Sequence, residues 1–136
     1  MSNRVLQVGV KVLLQNQDGQ YLLICRSKEA YPEVENPWEI PGGRINVGSP
    51  LLKNLQREVT EETGLNVLGV PELVDAQDII MSDKHVVRLT YTAQTSGTPK
   101  LSQDHTEFQW VAAKDIPRIN GIDPFVTDTF RKIYNK

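Results

Sequence analysis

The chain has 136 residues, 39% hydrophobic and 24% charged, which suits one globular domain over residues 1–136 with a core of its own. Its 15 basic and 17 acidic residues give a formal net charge of −2 with no basic cluster, which argues against long nucleic acid as a partner. No apolar run approaches the roughly 20 residues that a membrane-spanning helix needs, and the single cysteine forbids an intrachain disulfide, so a soluble, cytoplasmic protein is expected.

Arg4 precedes the run Val5 to Leu14, but Gln7 and Lys11 interrupt it and no small-residue cleavage site follows, so a first strand is expected rather than a signal peptide. Tyr21 to Cys25 reads as a second strand, joined to the first by the turn Asn16-Gln17-Asp18-Gly19, with Cys25 a buried, inert thiol. A polar loop with Pro32, Asn36 and Pro37 leads to Trp38-Glu39-Ile40, which alternates until Pro41-Gly42-Gly43 breaks the pattern. Ser49-Pro50 predicts a helix start, Ser49 as N-cap and Pro50 at the first helical position, and the helix runs to Thr63 with Gly64 just beyond it.

Leu65 to Val74, His85 to Thr95 and Phe108 to Ala112 read as further strands, while Ser27 to Pro37 and Ala76 to Lys84 read as loops. Asp123-Pro124 repeats the cap-plus-proline signal ahead of a stripe through Phe125, Val126, Thr129, Phe130, Ile133 and Tyr134, a docked C-terminal helix. Trp38 and Trp110 are expected in the core, while Tyr31, in the polar loop, is freer to meet a ligand. His85 and His105 read as surface or strand histidines rather than bases. The order predicts an α/β (α+β) fold, a mixed sheet packed between helices.

The first helix carries an electrostatic problem. Glu58, Glu61 and Glu62 stand at i, i+3 and i+4 and share one face, and Glu61 and Glu62 also lie near the negative end of the helix dipole. Each like-charge pair costs about 0.2–0.5 kcal/mol. Arg57 can pair with Glu61 at i+4, but Leu51, Leu52, Leu55 and Val59 form an apolar stripe that overlaps the arc of Glu58 and Glu62. Carboxylates at the border of a core need a partner, and a divalent cation such as Mg²⁺, which takes oxygen ligands and shares its shell with phosphates, is the simplest.

The stretch from Gly43 to Leu65 resembles the Nudix box of the Nudix hydrolases, G-x5-E-x7-R-E-U-x-E-E-x-G-U, with U a bulky apolar residue. Gly43, Arg57-Glu58, Val59, Glu61-Glu62 and Gly64-Leu65 fall at its spacing, eight of nine defined positions. The likeness extends through Trp38 to Gly43, the Asp18-Gly19 turn and Glu107 to Val111, and so over roughly residues 4 to 134. It implies an α/β/α sandwich and a pyrophosphohydrolase in which water attacks phosphorus of a nucleoside diphosphate linked to another group. Glu58, Glu61 and Glu62 would bind Mg²⁺, or Mn²⁺ in its place, and Glu58, Glu61 or a glutamate outside the box, best matched by Glu107, would take the proton. Gly42, Gly43, Arg44 and Arg26 are candidates for contact with phosphate. Small members of the family often form homodimers, and a nucleotide derivative is the expected small-molecule partner.

One defined position departs: Ser49 stands where the box has Glu. By the resemblance that Glu anchors the box, commonly by pairing with the arginine here numbered 57. Asn46 also replaces a frequent acidic residue, so Arg44 to Pro50 has no carboxylate. Two outcomes follow: hydrolysis sustained by the three remaining glutamates with weaker metal binding or a lower rate, or a Nudix-fold nucleotide-binding or regulatory module with little turnover. Ser49→Glu is expected to raise activity or metal affinity, and no change would mean that the departure is compensated elsewhere.

Overall fold

The computed structural model describes residues 3–134, so the first two and last two residues of the expected domain lie outside it. In chain order the elements are β1 (Val5–Gln15), β2 (Tyr21–Arg26), β3 (Trp38–Glu39), β4 (Gly42–Arg44), α1 (Leu51–Thr63), β5 (Leu68–Ile80), β6 (Lys84–Gln94), β7 (His105–Val111), a 3₁₀ turn (Ala113–Arg118) and α2 (Pro124–Tyr134).

The sheet is mixed, as expected. Its main path runs β3-β2-β1-β6-β5, with β4 paired to β1 and β7 to β2. β1 and β6 are parallel and in register from Val5↔Lys84 to Gln15↔Gln94. The registered contact between β1 and β2 is Gln15↔Tyr21, beside their turn. Beyond it β3 takes the edge of β2 and β4 that of β1, so the segment from Trp38 to Arg44 bridges the gap between the two strands.

Alternation along β1 divides the core, because successive side chains point to opposite faces. Val10, Val12 and Leu14 pack with Leu55 and Val59 of α1. Leu13 packs on the other face with Val126 and Phe130 of α2, and Trp38 and Trp110 back these two clusters. The helices therefore cover opposite faces, the α/β/α sandwich that the resemblance implies. Leu55, fully buried, is of the kind whose truncation to Ala costs about 2–5 kcal/mol.

Several boundaries differ from those read in the sequence. Ser49 does not cap α1. Pro50, extended at φ −61° and ψ 147°, holds the cap position without a side-chain hydrogen bond, and its carbonyl accepts from Asn54 at 3.0 Å. Ser49 N–H turns back to Asn46 O at 2.9 Å, which draws the residue into a tight turn ahead of the helix. Leu52 is exposed, while Asn54 and Thr63 are buried on that helix.

Pro41-Gly42-Gly43 does not end strand structure, because Gly42 and Gly43 pair with Lys11 and Val10. Strand β5 begins at Leu68 rather than Leu65 and continues through Ala76 to Ile80, a segment read as loop. Polar residues punctuate it, yet Gln77 and Ile79 alternate inward and its backbone pairs with β6. Strand β7 starts at His105, three residues before Phe108. The other expectations hold closely: Gly64 ends α1 in the left-handed conformation at φ 69°, and Asp123 accepts from Phe125 N–H at 2.9 Å where α2 begins. Cys25 is buried, which pushes its thiol pKa up.

Candidate active site

A cleft of about 820 Å³ opens beside β1, where Gly9 contributes no side chain. Glu58, Glu61 and Glu62 line one wall, with Gly42, Gly43 and Arg44 alongside. The sequence thus places these six together. Arg26 and Tyr31 line the cleft as well.

Two glycines fix the acidic wall. Gly42 has φ +141°, and a Cβ there would lie 2.0 Å from Val10 O. Only glycine fits such a close approach of two backbones. Its N–H donates to Glu62 Oε1 at 2.8 Å, so this amide is already engaged by the helix carboxylate. At Gly43 a Cβ would lie 2.8 Å from Glu58 Oε2. The turn is therefore shaped to let two helix carboxylates pass over bare backbone.

The C-terminal end of α1 shows how further residues arrive. The last carbonyls of a helix lack intrahelical partners. Here Lys100 N–H donates to Thr63 O at 2.7 Å and Ser102 N–H to Glu62 O at 3.2 Å. Docking of this segment delivers His105, three residues on, into the interior.

His105 Nε2 lies 2.9 Å from Glu39 Oε2. Glu39 also receives Lys11 Nζ at 2.8 Å and a bidentate fork from Arg26, with Nε and Nη2 each at 2.8 Å. Burial alone would raise the Glu39 pKa, but Lys11, His105 and Arg26 together hold it well below the usual carboxylate range. Lys11 and Glu39 were not singled out in the sequence. The available signal was a lone charge of each sign inside apolar strand runs, Lys11 among valines and leucines and Glu39 between Trp38 and Ile40.

Glu62 behaves in the opposite way. Burial raises its pKa from 4.5 to about 7, although Lys11 and the Gly42 amide oppose the shift. Burial likewise raises Glu58, with Arg57 opposing. Glu58 and Glu62 are thus carboxylates whose charge burial disfavours, while Glu61 is exposed and accepts from Arg57 Nη1 at 3.2 Å.

These oxygen donors fit a hard divalent cation. Among the described residues Glu39, Glu62 and His105 also bring possible ligand atoms within 4.8 Å of one another. That trio is the poorer cradle, because Lys11 and Arg26 already neutralise Glu39. Glu58 and Glu62 are less fully compensated, each with a pKa that burial still raises.

Of the other candidates, Arg44 is exposed on the rim and donates to Gln7. Arg26 is locked on Glu39 with its guanidinium 4.9 Å from the Tyr31 ring centroid. Glu107 is exposed on β7 opposite Cys25 and does not line the cleft. His85 pairs with Asp78 at 2.8 Å, away from it.

The apolar side chains of Ile79, Met81, Val86 and Phe125 also line the cleft, as do Arg88 and Asp123, paired at 2.9 Å.

The family model for the NUDIX domain matches residues 5–130. The chain belongs to the NUDIX family. A relative from Mycobacterium tuberculosis, named provisionally as 8-oxo-dGTP diphosphatase 2, is 31% identical over 93 residues. That match covers 67% of this chain and 64% of the relative, so the NUDIX chain spans less than two thirds of it. The crystal structure of a MutT protein from Methanosarcina mazei Go1 superposes with a TM-score of 0.85 at 25% identity, covering 99% of this chain and 97% of that one. A MutT NUDIX hydrolase from Burkholderia pseudomallei gives 0.77 at 26% identity, covering 96% and 99%.

Proposed function

We propose that this NUDIX protein is a pyrophosphohydrolase that cleaves the diphosphate linkage of a nucleoside diphosphate derivative with the help of Mg²⁺, for which Mn²⁺ can substitute. The observation that carries this reading is the placing of Glu58, Glu61 and Glu62 from one helix along the same cleft, two of them with pKa values raised by burial. A pure nucleotide binder gains nothing from a self-repelling carboxylate group.

Glu58, Glu61 and Glu62 would hold the cation. When bound, it would neutralise phosphate charge and lower the pKa of a water ligand. The protein's own share is to position and to exclude. Gly42 N–H fixes Glu62, and the bare Cα of Gly43 lets Glu58 sit against the turn. Arg44 reaches a phosphate from the rim, where an arginine fork matches phosphate oxygens. Arg26, braced by Glu39, presents positive charge deeper in the cleft.

The proton from the attacking water passes to Glu58 or Glu61. Glu107 could serve only if β7 or the substrate brought it to the cleft, from which its side chain is now absent. Ile79, Met81, Val86 and Phe125 suit the nucleoside, since base faces pack on apolar side chains. The name of the mycobacterial relative makes a nucleoside triphosphate with an altered purine the first compound to try.

Release of phosphate-containing products from nucleoside triphosphates, nucleotide sugars, dinucleoside polyphosphates and coenzymes tests the reading. Metal-dependent release from any of them supports it. Tight binding without turnover across the panel would instead establish a regulatory module.

A further inference from the structure

Asn54, fully buried beside Leu55 on α1, faces the loop that lacks a carboxylate. Its Oδ1 accepts from Asn46 N–H at 3.3 Å and from Arg57 Nη2 at 3.1 Å, and its Nδ2 donates to Arg44 O at 3.5 Å. One amide therefore joins the backbone of the loop to the guanidinium. From there Arg57 reaches Glu61 Oε1 at 3.2 Å and stands 3.3 Å from Glu58 Oε1. A buried amide suits this place because it offers an acceptor to two donors and a donor to a carbonyl. Ser49, one residue before the cap, turns its backbone N–H back to Asn46 O instead.

We propose that Asn54 is a positioning residue, a neutral clamp that performs the task of the carboxylate missing at position 49. By holding Arg57 between loop and helix it aligns Glu58 and Glu61, and so sets the divalent-cation affinity of the acidic wall. This inference rests on the metal-binding reading of that wall. It also gives the departure at Ser49 a physical answer, since the anchor has moved from the loop into the helix and lost its charge on the way.

The test uses the full chain and Mn²⁺ alone, with affinity read by calorimetry and exchange of the Asn46 amide read in the metal-free protein. Asn54→Ala is expected to weaken Mn²⁺ binding about tenfold, as residues that orient metal ligands do, and to speed exchange at Asn46. Adding Ser49→Glu to Asn54→Ala restores affinity by a larger factor than Ser49→Glu changes the parent, because the two residues share one task. Asn54→Asp keeps the Oδ acceptor for Asn46 N–H and Arg57 and gives up only the long 3.5 Å donation to Arg44 O, so it holds the Mn²⁺ affinity near the parental value. It carries the test if Asn54→Ala does not fold, and a loss of about tenfold or more in that variant would overturn the clamp. A folded Asn54→Ala with parental affinity and parental exchange would overturn it too, as would equal effects of Ser49→Glu in both backgrounds. A parent that binds no Mn²⁺ defeats the reading of the wall itself, and the clamp falls with it.

Discussion

Gly43 and Glu58 share a space that only a glycine leaves open, with a Cβ at position 43 landing 2.8 Å from Glu58 Oε2. Gly43→Ala must push the carboxylate aside while leaving the core untouched. We expect a drop in kcat/KM of about 10–100-fold from misplacing a metal-orienting group, with Tm lowered only slightly. Steady-state kinetics beside thermal melting check this, and unchanged kinetics would show that Glu58 has room to move without consequence.

Gly42→Ala should fail differently. At φ +141° with backbone 2.0 Å away, a methyl group has no place to go. Strain of this kind costs about 1–3 kcal/mol before the clash is counted, so urea unfolding should reveal a destabilised or unfolded protein. An alanine variant as stable as the parent would contradict the described backbone.

Lys11 and Glu39 form a buried pair at 2.8 Å. Lys11→Met removes one of the three groups that neutralise Glu39 and is expected to cost about 3 kcal/mol in urea unfolding, near the lower end for a broken buried pair because Arg26 and His105 remain. A loss below about 0.5 kcal/mol would mean that the other two suffice.

Stability should depend on pH in two opposed ways. Glu39 is held below its ordinary value, so its contribution is present above that value and is lost as the pH falls through its lowered pKa. Glu62 is raised from 4.5 to about 7, so in the metal-free protein its contribution is complete below 4.5 and is lost as the pH rises through about 7. The metal-free protein is therefore expected to melt at a lower temperature at pH 8 than at pH 5.5. Saturating Mg²⁺ should raise Tm more at pH 8, where the ion meets an ionised carboxylate. Differential scanning calorimetry at the two pH values decides the matter, and a Mg²⁺ effect that is larger at the lower pH would reverse the assignment.

The acidic helix and its glycine stop were legible because i, i+3, i+4 spacing and a left-handed C-terminal Gly64 are local properties of α1. Glu58, Glu61 and Glu62 were legible as a group for the same reason. What the sequence concealed was long-range. Glu39 meets Lys11, Arg26 and His105 from three other strands, 28, 13 and 66 residues away. No local period encodes such a meeting.

Strand β5 runs on past Val74 although Asp75, Gln77 and Asp78 interrupt its apolar pattern, for Gln77 is buried and donates to Phe125 O on α2. Ser49 misled through a true general preference for serine before a helix, which the Asn46 turn overrides here. Asn54 was hidden for the opposite reason, a polar residue on the buried stripe whose partners lie in the preceding loop.

In the proposed function, Glu58, Glu61 and Glu62 support hydrolysis by holding a divalent cation. The most direct measurement compares product release by the parent and by Glu62→Gln, each with Mg²⁺ and with chelator, on a nucleoside triphosphate that the parent cleaves. Release is expected by the parent with Mg²⁺ alone, with a loss of about 100-fold or more in Glu62→Gln while its fold is retained. Full activity in chelator, or in Glu62→Gln, would contradict it.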